Sequence, residues 1–279
     1  MGDMNFLWQK GALVDVIIKR WSMRIKLDKK DLSVAEDYPL PDIINLGNKR
    51  LLPKNVEGSF IVLENKSRNL LKDNGFEFPI GRNTFIPFKV LTPTLESLYK
   101  NKEDWITFKN SYFDGQYEKD KEFMLSKYPI LKPEMYDNGE TLKGRCKFSI
   151  IVFNLNLPES FSQTEMATKM QEQMDIFLND ATSLLRQKTN DVCTKIITKV
   201  NSGDINMRHI NGLRKWVDKF SILNFMEDEE VSKALQELKE NLPQNAEQLE
   251  GVPLNEFKGA IEEVIKIVEQ PSSIRKVFT

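Results

Sequence analysis

Two groups of residues in this sequence could do chemistry. The first is cationic: Lys19, Arg20, Arg24 and Lys26 fall in one short segment, and Lys49 and Arg50 follow Gly47. Between Lys19 and Lys30 there are six basic residues and one acid, Asp28. Such a cluster can grip a nucleic-acid backbone or an acidic protein surface, since every ammonium or guanidinium brings charge and several donors. The second group is Pro41-Asp42, followed by Glu64-Asn65-Lys66 behind the apolar run Phe60-Ile61-Val62-Leu63. In a metal-dependent nuclease, acids so placed hold magnesium and the lysine orients the attacking water. That chemistry needs residues 59–66 to be a strand, and their spacing also suits a helix.

Other sites are excluded by their missing parts. Gly47-Asn48-Lys49-Arg50 is not a Walker A loop, which needs a second glycine before the lysine and a hydroxyl after it. No G-x-G-x-x-G, G-x-S-x-G, H-E-x-x-H or paired C-x-x-C occurs. The one histidine, His209, lies on a predicted helix with no flanking acid or nucleophile motif, and reads as a surface or capping residue. Cys146 and Cys193 have no paired spacing, which argues against a disulfide framework or a zinc site and suits small buried side chains. No catalytic residue, metal ligand or cofactor is assigned, and the chain is read as a non-enzyme.

The elements that must position the cations come next. Trp21, Met23, Ile25 and Leu27 alternate with Ser22, Arg24 and Lys26, predicting a half-buried strand that begins as early as Val14. "RCKFSIIVFNLNLP" (145–158) is apolar on nearly both faces and predicts a second strand, paired with the first and buried between layers. Residues 55–73 predict a helix with Phe60, Leu63, Leu70 and Leu71 near helical spacing, stopped at Asp73-Asn74-Gly75. "GFEFPIGRNTFIPF" predicts a β excursion turning at Gly81-Arg82-Asn83. Thr92-Pro93 then reads as the start of a helix running to Tyr128, with Leu95, Leu98, Tyr99, Trp105, Phe108, Tyr112 and Phe113 as its inner stripe. Downstream, Ser162 and Glu165 form a capping box and Phe161 with Met166 its hydrophobic staple. They open a long helix to Val200, followed by helices at 206–223, 228–242 and 254–269, with "PQNAEQLEG" as a loop.

Composition sets the outer bounds. With 279 residues, 40% of them hydrophobic, the chain can bury one large core or two smaller ones. Forty basic residues face 41 acidic ones, so the overall charge points to neither nucleic acid nor a membrane surface. Locally the charge is uneven, because acids dominate from Glu227 to Glu250. Opposite ends could pair with each other, with a second copy or with a partner, or be two solvated faces. No apolar run reaches the roughly 20 residues of a membrane helix, and the N-terminal region carries Asp3 and no signal-peptide core. A cytoplasmic protein is expected.

One pattern spans most of the chain. "LVDVIIKRWSMRIKLDKKDL" is followed by "LGNKRLLP", a helix, a Gly75–Pro87 excursion, an aromatic helix from Thr92 to Tyr128, a strand at Lys147–Leu157 and "LRKWVDKFSILNF" at Leu213–Phe225. This resembles a bacterial and phage domain-of-unknown-function family, number thirty-one-fifty. The usual "GSK" of its turn is "GNK" here, and the tryptophan of its first strand is shifted. The resemblance implies a third, non-catalytic component encoded beside MoxR-type AAA+ ATPases and von Willebrand A domain proteins. It carries over no active site.

The expectation is an α+β protein, predominantly α-helical. A small antiparallel sheet with a β excursion would form a head at 1–158, and long amphipathic helices a second domain at 159–279. The expected function is protein interaction: an adaptor of an AAA+ machine, or a phage protein that binds a host factor such as a defence complex. Methionine-bearing helical stripes also suit a homo-oligomer. Nucleic-acid binding through Lys19, Arg20, Arg24, Lys26, Lys49 and Arg50 stands as the alternative, and the nuclease as a minor one.

Overall fold

The computed structural model describes residues 7–28, 31, 47–155, 165–251 and 254–271. The chain is α+β and mostly helical. It divides into two compact units that interleave along the sequence. One comprises residues 1–14, 74–92 and 152–279, the other 15–73 and 93–151. Four strands form one sheet in the order β4-β5-β1-β6: β1 (Gly11–Lys19), β4 (Phe76–Glu77), β5 (Thr84–Pro87) and β6 (Lys147–Phe153). A separate ribbon joins β2 (Arg24–Lys26) to β3 (Asn48–Arg50).

The expected strand from Val14 to Leu27 is thus two strands in two sheets. The chain turns between them at Met23, whose φ is +57°. A left-handed methionine is strained, and burial of its side chain to 1% exposure holds it there. Ile25 was expected inside and lies at the surface. β6 is not buried on both faces either: Phe148 points inward while Ile151 and Val152 are exposed.

In the unit of 15–73 and 93–151, α1 (Lys54–Asn74) supplies the central surface. Its buried residues include Glu57, Phe60, Glu64, Ser67 and Leu71. The spacing is 3-4-3-4, one face of a helix, with two carboxylates in it. Phe60 packs edge-on against Trp105 and Phe108 of α2 (Phe88–Gly115). The α2 helix begins a turn earlier than Thr92-Pro93 suggested and takes Pro93 inside, at the cost of a backbone hydrogen bond. It breaks at Gly115, and α3 (Tyr117–Lys127) continues to the expected stop. Tyr99, predicted on the inner stripe, is exposed. A short helix, α4 (Gly139–Arg145), precedes β6, and the Tyr136 hydroxyl donates to the carbonyl of Leu51 at 2.8 Å.

The other unit is built on α5 (Glu165–Asn201), α6 (Met207–Leu223), α7 (Glu229–Glu240) and α9 (Leu254–Glu269). α5 packs on α6 and α9, and α7 packs on the same two, which closes a four-helix arrangement. Met174, Phe177, Ala181, Leu185, Ile196 and Val200 form the buried stripe of α5, and Leu184 turns outward. The capping box expected at 161–166 lies outside the described residues apart from the helix backbone from Glu165. A short helix, α8 (Ala246–Gly251), occupies part of the expected loop. The excursion turns at Gly81, whose φ is +73°, and pairs Phe76 with Phe85. Phe76 and Phe85 pack against Phe225, and Phe78 against Phe177.

Candidate functional site

The cationic residues meet on the β2–β3 ribbon and the adjoining end of β1. Register sets Arg24 opposite Arg50, Ile25 opposite Lys49 and Lys26 opposite Asn48. Two further backbone bonds close the ribbon ends, Leu27 N–H to Gly47 O at 3.1 Å and Leu51 N–H to Met23 O at 2.9 Å. Gly47 has φ +77°, a left-handed conformation that glycine adopts without steric cost, at the place where the family's pattern has its turn. The next three residues are strand, and Leu51 and Leu52 then bury at 2% exposure.

Four of the six cations end on carboxylates. Arg24 donates through one guanidinium nitrogen to both oxygens of Glu57, at 2.7 and 2.8 Å. Arg50 Nε stands 3.6 Å from the same carboxylate. Lys49 Nζ reaches both oxygens of Asp31 at 2.7 Å. Arg20 Nε lies 3.0 Å from Glu64 Oε1, close but off the axis of a hydrogen bond, so that oxygen gains charge neutralisation without an aligned donor. Lys19 and Lys26 are exposed.

The electrostatics follow from these contacts. The hydrogen bond from Arg24, helped by the charges of Arg20 and Arg50, holds the Glu57 carboxyl below its ordinary value against the opposing effect of burial. The hydrogen bond from Lys49 does the same for Asp31. An open groove of about 740 Å³ runs over this cluster, lined by Lys19, Arg20, Ser22, Arg24, Glu57 and Glu64 among others. A phosphate entering it would compete with Glu57 for Arg24.

The segment expected to carry Glu64 and Lys66 on a strand does not form one. "SFIVLENK" is helix, not strand. Glu64 is buried beside Arg20, while Lys66 is exposed and pairs with Asp104 at 3.3 Å. Asp42 lies outside the described residues. Among the described residues no cluster of three or more His, Cys, Asp or Glu could hold a metal ion.

The remaining candidates are structural. His209 Nδ1 accepts from the Asn206 N–H at 3.3 Å and completes a capping box on α6. Cys146 and Cys193 are free and buried. The acids that neutralise the cations were missed by charge counting alone. Their signal was periodic: Glu57 and Glu64 are seven residues apart, two helical turns, in register with Phe60, Ser67 and Leu71.

Among the described residues no helix is long and apolar enough to cross a membrane. No curated protein and no solved structure matches the chain. A family does, described as a protein of unknown function (DUF3150), and the match runs over residues 9–265. With nearly its whole length matched, the chain belongs to that family.

Proposed function

We propose that the protein is a non-enzymatic interaction protein, an adaptor or accessory partner of an AAA+ machine of the MoxR type or a phage protein that binds a host factor. The observation that carries this reading is the inward commitment of the cations. Arg20, Arg24, Lys49 and Arg50 sit on Glu64, Glu57 and Asp31, so part of their charge is already offset by carboxylates of the chain and less of it is left for a nucleic-acid backbone. Exposed aromatic side chains favour a protein partner: Tyr99 on α2, Phe123 on α3 and Tyr128 just beyond it. Lys127 Nζ lies 5.3 Å from the ring centre of Phe123 and 5.6 Å from that of Tyr128, an amphipathic surface of the kind interfaces use.

The test is affinity purification of the tagged protein from its native host, with mass spectrometry and native mass. A stoichiometric protein partner is expected. A homo-oligomer without one would overturn the adaptor reading.

Exposed Lys19 and Lys26 favour a second reading, nucleic-acid binding. It requires salt-sensitive DNA binding that Lys19→Glu and Lys26→Glu weaken together. These two are the informative positions, because Arg24→Glu would set a carboxylate against buried Glu57 and unsettle the fold itself.

A further inference from the structure

Helices α7 and α9 lie side by side in the four-helix unit, with a trough of about 320 Å³ between them. Its floor is apolar. Ala234, Ala260 and Ile267 are half-buried there, over fully buried Leu238 and Val264. Ala234 and Leu238 are four residues apart, as are Ala260 and Val264, so each helix contributes one ridge and the alanines keep both ridges low. A trough between two such ridges accepts the ridge of a third helix.

The rim is acidic. Glu230, Glu237 and Glu263 border the floor, with Lys233 as the basic residue among them. Glu263 is exposed; Glu237, 64% exposed, has Lys233 at 3.9 Å, and Glu230, 53% exposed, has Arg186 at 3.6 Å, contacts that leave both carboxylates in solvent and offset them little. The surroundings reinforce the sign, since residues 227–271 contain twelve acids and four lysines. Such a field repels nucleic acid and attracts basic groups. A second copy of this chain is a poor match through Arg20, Arg24, Lys49 and Arg50, which already sit on carboxylates of their own chain.

We propose that this trough docks a basic amphipathic helix of a partner protein. The helix sets its apolar ridge on Ala234, Ala260 and Ile267 and its lysines or arginines on Glu230, Glu237 and Glu263. The proposal rests on the adaptor reading and gives that reading a surface and a partner chemistry.

The probe is a fluorescent synthetic amphipathic helix with leucines on one face and lysines flanking them, titrated with the full chain. A control peptide carries glutamate in place of lysine. The lysine peptide binds and the glutamate peptide does not. Glu237→Lys with Glu263→Lys lowers the affinity about tenfold, while Glu172→Lys, at an exposed position on α5, leaves it unchanged. No binding of the lysine peptide, or equal weakening by Glu172→Lys, overturns the proposal. Tighter binding after Arg275→Glu with Lys276→Glu overturns the choice of occupant and assigns the trough to residues 272–279. Purification of wild type and the double variant from the native host separates the two readings. A partner held by both keeps the adaptor and removes the trough. A partner absent from both removes the adaptor, whatever the peptide does.

Discussion

Arg186 on α5 and Asp228 before α7 form a buried two-pronged ion pair, Nε to Oδ2 at 2.6 Å and a terminal nitrogen to Oδ1 at 3.0 Å, with both side chains at most 5% exposed. The third guanidinium nitrogen donates to the Gln270 carbonyl at 2.6 Å, beyond the end of α9. Asp228 also accepts from the Val231 N–H and caps α7. One charged pair therefore ties three helices together. Asp228→Ala leaves a buried guanidinium without its counterion and is expected to cost about 3–5 kcal/mol in urea unfolding. Arg186→Met with Asp228→Leu should recover much of that loss, because neither charge then remains to be solvated.

The Arg24–Glu57 contact makes stability depend on pH. The folded Glu57 carboxyl lies below its ordinary value of 4.5. Its contribution is complete above the unfolded value and is lost as pH falls through the lower folded one. Wild type should therefore exceed Glu57→Gln in urea midpoint at pH 7, with the gap closing as the buffer is taken below 4.5. A gap that stays constant into acid would show that the charge at Glu57 contributes nothing.

Gly75 sits where a side chain has no room. A Cβ there would lie 2.6 Å from the Phe85 carbonyl oxygen and 2.5 Å from the Thr84 methyl. Gly75→Ala is expected to lower stability by about 1–3 kcal/mol through overpacking of the β4–β5 hairpin. Thermal unfolding followed by near-ultraviolet circular dichroism, which reports on the aromatic cluster around Phe85, measures it.

Both thiols should be silent in the native protein. Burial pushes the Cys193 thiol up to about 12 and raises Cys146 as well. A thiol-specific chromogenic disulfide reagent at pH 8 should label neither cysteine until denaturant is added, and then label both. Rapid native labelling would mean that the helices around Cys193 open readily.

What the sequence disclosed depended on whether the determining contact was local. The hairpin turning at Gly81 and the stripe of α5 were legible, since a glycine-bearing turn and a 4-3 apolar repeat act within a few residues. Met23 was not. Its left-handed backbone is held by burial against residues far along the chain, and alternation alone carried the strand straight through it. Phe88 opens α2 because the strand ends at Pro87, which outweighed the cap signal at Thr92. The cations were found by type, and the pairing of four of them was not, because Arg24 meets Glu57 across 33 residues. The acids could have been anticipated from Glu57 and Glu64 lying in step with Phe60 and Leu71.

The interleaving of the two units bears on how the chain is made. A ribosome delivers the hairpin of 76–87 early, but Phe85 packs on Phe177 and Phe225. At about 5–20 residues per second, those partners emerge on the order of ten seconds later, after every residue of the 15–73 and 93–151 unit has been synthesised. One unit can close while translation continues. The other waits with an aromatic face uncovered, so the nascent protein is most exposed to aggregation in the interval before its final helices appear.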